Sequence, residues 1–163
     1  MAKPISRSDS AIQREIQQRR PFHSIGAEAI IGIMRTAALI ERRLNAIVAR
    51  EGISQQQYNV LRILRGAGDE GIPTLAIRDR MVDVSPGVTR LIDRLERSGH
   101  ARRQRSSPDR RQVMCYITPE GLALLARLDA PVNAYDDAAV EVLTTAETRE
   151  MIRMLDAIRK QNG

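Results

Sequence analysis

The sequence predicts a mainly α-helical chain with one small β-hairpin set among its helices, and three observations predict it. Aliphatic residues recur at helical spacing over most of the chain. Residues 101–117 break that period, with two short segments of strand character around a Ser106-Ser107-Pro108-Asp109 turn cluster. Aromatic residues make up only 2% (Phe22, Tyr58, Tyr116 and Tyr135), so the core must come from Leu, Ile, Val, Met and Ala. That composition favours packed helices over a large sheet.

Residues 1–23 form an N-terminal extension, expected to be partly disordered. Ser10 is placed to cap a short helix through Arg20, with Ile12 and Ile16 four apart and Pro21 as its end. Ser24 caps a longer helix to about Arg50, closed by Glu51-Gly52, so that residues 24–52 form the next unit. Ala29, Ile30, Ile33, Ala37, Ile40, Leu44, Ile47 and Val48 keep helical spacing there. Ile25, Ile31, Met34 and Leu39 widen the apolar stripe beyond what one small domain covers. A helix apolar on more than one face needs a second partner, and another copy of the chain would serve.

Ser54-Gln55-Gln56-Gln57 is a capping-box start for a helix with Tyr58, Leu61 and Leu64. Gly66 to Gly71 reads as a turn, and Ile72-Pro73-Thr74 as at most a short edge strand. A further helix spans Leu75 to Met81, and Val82-Asp83-Val84 links it tightly to Ser85, an N-cap followed by a first-turn proline, Pro86. Val88, Leu91, Ile92 and Leu95 give the helix 85–98 one buried face, and Gly99 stops it. Two short helices around a three-residue turn make a helix-turn-helix. With a wing at 101–117, residues 53–118 form a winged helix-turn-helix lobe. In the second wing strand Val113, Cys115 and Ile117 alternate with Gln112, Met114 and Tyr116.

Residues 119–163 hold the C-terminal helices. Thr118-Pro119 is again a cap plus proline, opening a helix with Leu122, Leu125 and Leu128 that Pro131 is expected to kink or interrupt. Helical patterning resumes to about Leu143. Thr144 with Glu147 offers another capping box, leading a last helix over 146–160 with Met151, Met154, Leu155 and Ile158.

Charge concentrates in one stretch. Residues 85–111 carry eight arginines against three acids (Asp93, Glu96, Asp109), a net of +5 in a chain of net +6. A basic helix beside a basic hairpin can engage a groove of duplex DNA and its backbone, and a pI near 10.4 agrees with an anionic partner. The recognition helix would enter the major groove by its start, through Ser85, Gly87, Thr89 and Arg90. Arg90 has the reach for a bidentate contact to guanine, the alternative being a phosphate contact or a solvent-facing charge. Arg94 and Arg103 are expected at phosphate.

From Ile53 to about Leu128 the sequence resembles the MarR family of bacterial transcription regulators. The residues that carry the resemblance are Val84-Ser85, then Thr89-Arg90-Leu91-Ile92-Asp93-Arg94-Leu95-Glu96-Arg97-Ser98-Gly99, then Asp109-Arg110-Arg111, then Ile117-Thr118-Pro119-Glu120-Gly121. Leu95-Glu96 with Gly99, Asp109 with Arg111, and Ile117-Thr118 with Gly121 match the family pattern in order and spacing. His100-Ala101 departs from it, standing where members usually carry an apolar pair. The resemblance implies a homodimer held by N- and C-terminal dimerisation helices, binding a pseudo-palindromic operator, usually as a repressor. It also implies a small-molecule effector between those helices and the DNA-binding lobe. Arg110 and Arg111 sit in the wing, where the family pattern points to Arg111 for the minor groove. Asp109 is read as positioning the wing, by pairing with Arg111 or capping turn N–H groups.

Other chemistries fit poorly. Cys115 faces the apolar side of a strand, which favours a small buried hydrophobe over a redox switch. His23 and His100 have no ligand-like spacing, so no metal is expected. There is no glycine-rich phosphate loop and no nucleophile elbow, so neither an enzyme nor a cofactor is expected. The rival function is a winged-helix protein–protein adaptor or anti-repressor without specific DNA binding; the basic helix and wing argue against it. No apolar run approaches membrane-spanning length and no signal-peptide pattern opens the chain, which makes the cytoplasm the expected compartment.

Overall fold

The computed structural model describes residues 10–82, 87–105 and 112–162. Its elements run α1 (Ala11–Glu15), α2 (Ile25–Val48), α3 (Gln55–Ala67), β1 (Ile72–Pro73), α4 (Thr74–Arg80), α5 (Val88–Arg97), β2 (Ala101–Arg105), β3 (Val113–Ile117), α6 (Pro119–Val140) and α7 (Thr145–Asn162). The chain divides into two compact units, residues 1–43 and 44–163.

In the first unit Ser10 and Ser24 act as caps. The Ser10 hydroxyl accepts from the Gln13 N–H at 3.4 Å, and the Ser24 hydroxyl from the Ala27 N–H at 3.1 Å. The expected helix through Arg20 is corrected: α1 ends at Glu15. Gln17 adopts the left-handed conformation (φ 55°), so the Gln17 N–H reaches the Arg14 carbonyl at 3.1 Å and the Gln18 N–H the Gln13 carbonyl at 3.0 Å. That pair of bonds is a Schellman closure, made here by glutamine where glycine is usual. A helix this short is marginal in isolation, so the closure at Gln17 is enough to end it. Glu15 ties α1 to α2 through Arg35 at 2.7 Å.

The second unit is built on an aliphatic core. Leu61, Leu64, Ile77, Ile92, Leu95, Leu124, Leu125 and Leu128 are fully buried, with Tyr58 the one aromatic among the described core residues. The α3 cap forms as its sequence predicts: the Gln57 N–H donates to the Ser54 hydroxyl (3.2 Å) and the Ser54 N–H to the Gln57 side chain (3.0 Å). Strand β1 enlarges the hairpin to a three-stranded antiparallel sheet of order β1-β3-β2, with Ile72 opposite Cys115 and Pro73 opposite Met114. Proline is tolerated because β1 is an edge strand.

Of the two outcomes expected at Pro131, a kink or an interruption, the interruption does not occur. Helix α6 runs unbroken over 22 residues. A proline inside a helix costs about 3 kcal/mol, but Leu124, Leu125 and Leu128 before it and Val132 after it are all buried in one core. Ion pairs also hold this stretch to the lobe, Arg65 with both oxygens of Asp129 (3.0 and 2.8 Å) and Arg127 with Glu51 (2.9 Å). Helix α7 starts on the Thr144–Glu147 box, whose bonds to the Glu147 carboxylate hold it below the usual glutamate value. None of its residues is buried.

Two glycines are dictated by contact. A Cβ on Gly71 would lie 2.4 Å from the Tyr116 ring, and one on Gly121 would lie 2.2 Å from the His100 carbonyl oxygen and 2.8 Å from Ile117. Gly66, in α3, has nothing within 4 Å of that position. Gly121→Ala should therefore lower unfolding free energy by about 1–3 kcal/mol through overpacking. Gly66→Ala should raise it by about 0.5–1 kcal/mol through helix propensity. Urea unfolding of the two variants checks both signs.

Candidate nucleic-acid interface

Helix α5 carries three chemically distinct faces. Val88, Ile92 and Leu95, at i, i+4 and i+7, are buried in the core. Arg90, Arg94 and Arg97 repeat the same spacing on an exposed face, and no described residue pairs with them. Thr89, Asp93 and Glu96 make the third face, toward β2. The apolar face anchors the helix on α3 and α4, which pack against it. The basic face is then left to solvent.

The helix begins later than the Ser85-Pro86 pairing predicts. Gly87, at φ 122°, is the N-cap position and makes no side-chain cap, and Val88 is the first helical residue. Ser85 lies outside the described residues, as do Asp109, Arg110 and Arg111. Thr89 and Arg90 fall in the first turn of α5, beside Gly87, and both are exposed.

Two of the sequence motifs meet at the far end of the helix. Gly99 is left-handed (φ 77°), which lets the Gly99 N–H reach the Glu96 carbonyl (3.0 Å) and the His100 N–H the Leu95 carbonyl (2.8 Å). The Thr118 hydroxyl donates to the Gly99 carbonyl at 2.6 Å and accepts from the Gly121 N–H at 3.1 Å. Gly121 is held so close to the His100 carbonyl that no side chain fits. The Leu95-Glu96-x-x-Gly99 and Ile117-Thr118-x-x-Gly121 motifs thus close one junction, joining the end of α5 to the start of β2 and of α6. At the departing position His100 bonds through Nδ1 to the Ser98 hydroxyl (2.9 Å), while Ala101 supplies the buried residue.

The wing arginines are not equivalent. Arg102 stacks on the Tyr116 ring at 4.2 Å and donates to Gln104 at 3.0 Å. Arg103, expected at phosphate, instead turns its guanidinium to α5, 2.6 Å from Asp93. The sequence reading missed the roles of Asp93 and Glu96. Their i, i+3 spacing on a helix otherwise basic on its surface was the available signal. A shallow groove of about 560 Å³ runs beside β1 and α4, and among the described residues lining it only Asp79 is charged.

The MarR family matches residues 53–113 of the chain. The transcriptional regulator PecS of Dickeya dadantii is 32% identical over 131 residues, covering 78% of this chain and 77% of that protein. The homoprotocatechuate degradative operon repressor of Escherichia coli is 30% identical over 127 residues, covering 74% and 83%. The crystal structure of a MarR transcription factor from Planctomyces limnophilus shares 37% identity and a TM-score of 0.64, covering 83% of this chain and 98% of that one. Fold, motifs and relatives together define a DNA-binding winged helix-turn-helix transcription regulator. The chain belongs to the MarR family. Among the described residues, no helix is long and apolar enough to cross a membrane.

Cys115 is fully buried on β3, its sulfur 3.4 Å from the Thr74 hydroxyl. A thiol reagent should therefore label the native protein only as fast as the lobe opens. Rapid stoichiometric labelling without loss of structure would contradict this burial.

Proposed function

We propose that the protein is a ligand-responsive repressor that binds a pseudo-palindromic operator as a homodimer in the cytoplasm. The observation that carries the DNA-reading part is the face of Arg90, Arg94 and Arg97, exposed along α5 without partners among the described residues. Arg90, with Gly87 and Thr89, stands at the helix start and is assigned to base readout; Arg94 is assigned to phosphate. Ser85, next to the helix start, and Arg110 and Arg111 are assigned to DNA contact as well, Arg111 by the family pattern to the minor groove, and Asp109 is assigned to positioning the wing through its turn chemistry.

Exposed apolar side chains support the dimer. Helix α2 exposes Ile30, Met34 and Ile40, and α7 exposes Ile152, Met154 and Ile158. A second copy of the chain is the occupant assigned to both helices, in an isologous interface. Two copies would also present two recognition helices to two half-sites. For the effector, the relative named for a homoprotocatechuate degradative operon favours a small, partly apolar anion, which also suits a chain of net +6. The groove beside β1 is a poor home for it, since Asp79 would repel an anion. The effector must favour the DNA-incompetent state; equal affinity for both states would change nothing.

Two measurements test this reading. Sedimentation at low micromolar concentration should give twice 18.3 kDa, and a stable monomer there would defeat the dimer. In titrations against a duplex selected from the source genome, Arg90→Ala should flatten the preference over a scrambled duplex. Arg94→Ala should weaken both duplexes alike and reduce the salt slope by about one phosphate per subunit. Equal behaviour of the two variants would remove the division between base and phosphate contacts.

A further inference from the structure

We propose that Arg103 is a positioning residue that sets the β2–β3 hairpin against the recognition helix, and that it does so without contacting phosphate. The inference rests on the reading of α5 as the helix that enters DNA. Strand alternation places Ala101 and Arg103 on the sheet face that packs toward α5, with Arg103 opposite Cys115 in the ladder. From there one guanidinium reaches most of the helix. Its Nη1 lies 2.6 Å from Asp93 and 3.5 Å from Glu96, and its Nη2 donates to the Thr89 carbonyl at 3.0 Å. The main-chain N–H of Arg103 donates to the other Glu96 oxygen at 3.1 Å, so the strand backbone is held as well as the side chain.

Thr89, Asp93 and Glu96 are spaced i, i+4 and i+7, one face from the first turn of α5 to the last. A strand held at three successive turns can neither slide along the helix nor roll over it without breaking charge-assisted bonds. Charge excludes the phosphate role. Arg103 faces two carboxylates and is only 23% exposed, so a phosphate would have to displace both before gaining a contact. The same arrangement explains why a helix that meets a polyanion carries Asp93 and Glu96: their charge is spent inside the protein. Lysine would not substitute. Its single ammonium lacks the planar fork that serves a carboxylate and a carbonyl together.

Arg103→Lys and Asp93→Asn test the proposal, each measured with the duplex selected by the wild type and its scrambled counterpart at two salt concentrations. Amide exchange of residues 101–105 is followed in the free protein. Both variants should bind the selected duplex about tenfold more weakly, with the wild-type salt slope retained. Amides 101–105 should exchange faster while those of Leu61 and Leu64 keep their protection. Asp93→Asn is the discriminating case, because it removes a negative charge from the DNA-facing lobe. A purely electrostatic role predicts tighter binding, and tighter binding overturns the proposal. So does wild-type affinity in Arg103→Lys, or a slope reduced by about one phosphate in Arg103→Ala. Wild-type exchange at 101–105 in both variants overturns it whatever the DNA result. If the wild type shows no preference between duplexes, the DNA reading fails instead, and the exchange data still decide the role of Arg103.

Discussion

The lobe depends on the close approach at Gly121. A carbonyl oxygen, that of His100, occupies the space where any other residue would carry its Cβ. Because α6 can come this near, the Thr118 hydroxyl bridges the Gly99 carbonyl and the Gly121 N–H. One side chain thereby satisfies groups at the end of α5 and the start of α6. Each such bond contributes about 0.5–1.5 kcal/mol. The junction converts three chain ends into one rigid corner, and both ends of the wing leave from it.

Rigidity at that corner gives the charges on α5 their meaning. A short helix with one buried face has two thirds of its circumference left, and this chain divides it by sign. The acids Asp93 and Glu96 face inward to Arg103, while Arg90, Arg94 and Arg97 face outward. A uniformly basic helix would bind DNA with more charge and less definition, since phosphate attraction carries no sequence information. Sorting the acids to the wing side removes repulsion from the outer face and uses it as attraction within the lobe.

Much of this was legible in the chain. The caps at Ser10, Ser24, Ser54, Thr118 and Thr144 were readable because a capping hydroxyl bonds within three residues, a distance over which sequence and space coincide. The buried faces of α3 and α5 were readable for the same reason. The failures share a cause of the opposite kind. Pro131 reads locally as a kink or an interruption, and the interruption is absent because Leu128 and Val132 are held by a core whose other half comes from distant segments. Arg103 reads as a free cation because its partners lie seven, ten and fourteen residues back, across a turn. Gln17 defeats the prediction differently: its left-handed backbone is uncommon for glutamine, and nothing in its chemistry announces it.

The separation of short-range from long-range information also bears on how such a lobe can diverge. The corner at Gly99, Thr118 and Gly121 tolerates little change, since it rests on backbone proximity and one hydroxyl. The outward positions 90, 94 and 97 are exposed, so their side chains can vary without disturbing the core. Thr89, Asp93 and Glu96 fall between these cases, exposed in part yet bound to β2. A substitution at 90 leaves the bonds between α5 and β2 intact, whereas one at 93 removes the ion pair with Arg103.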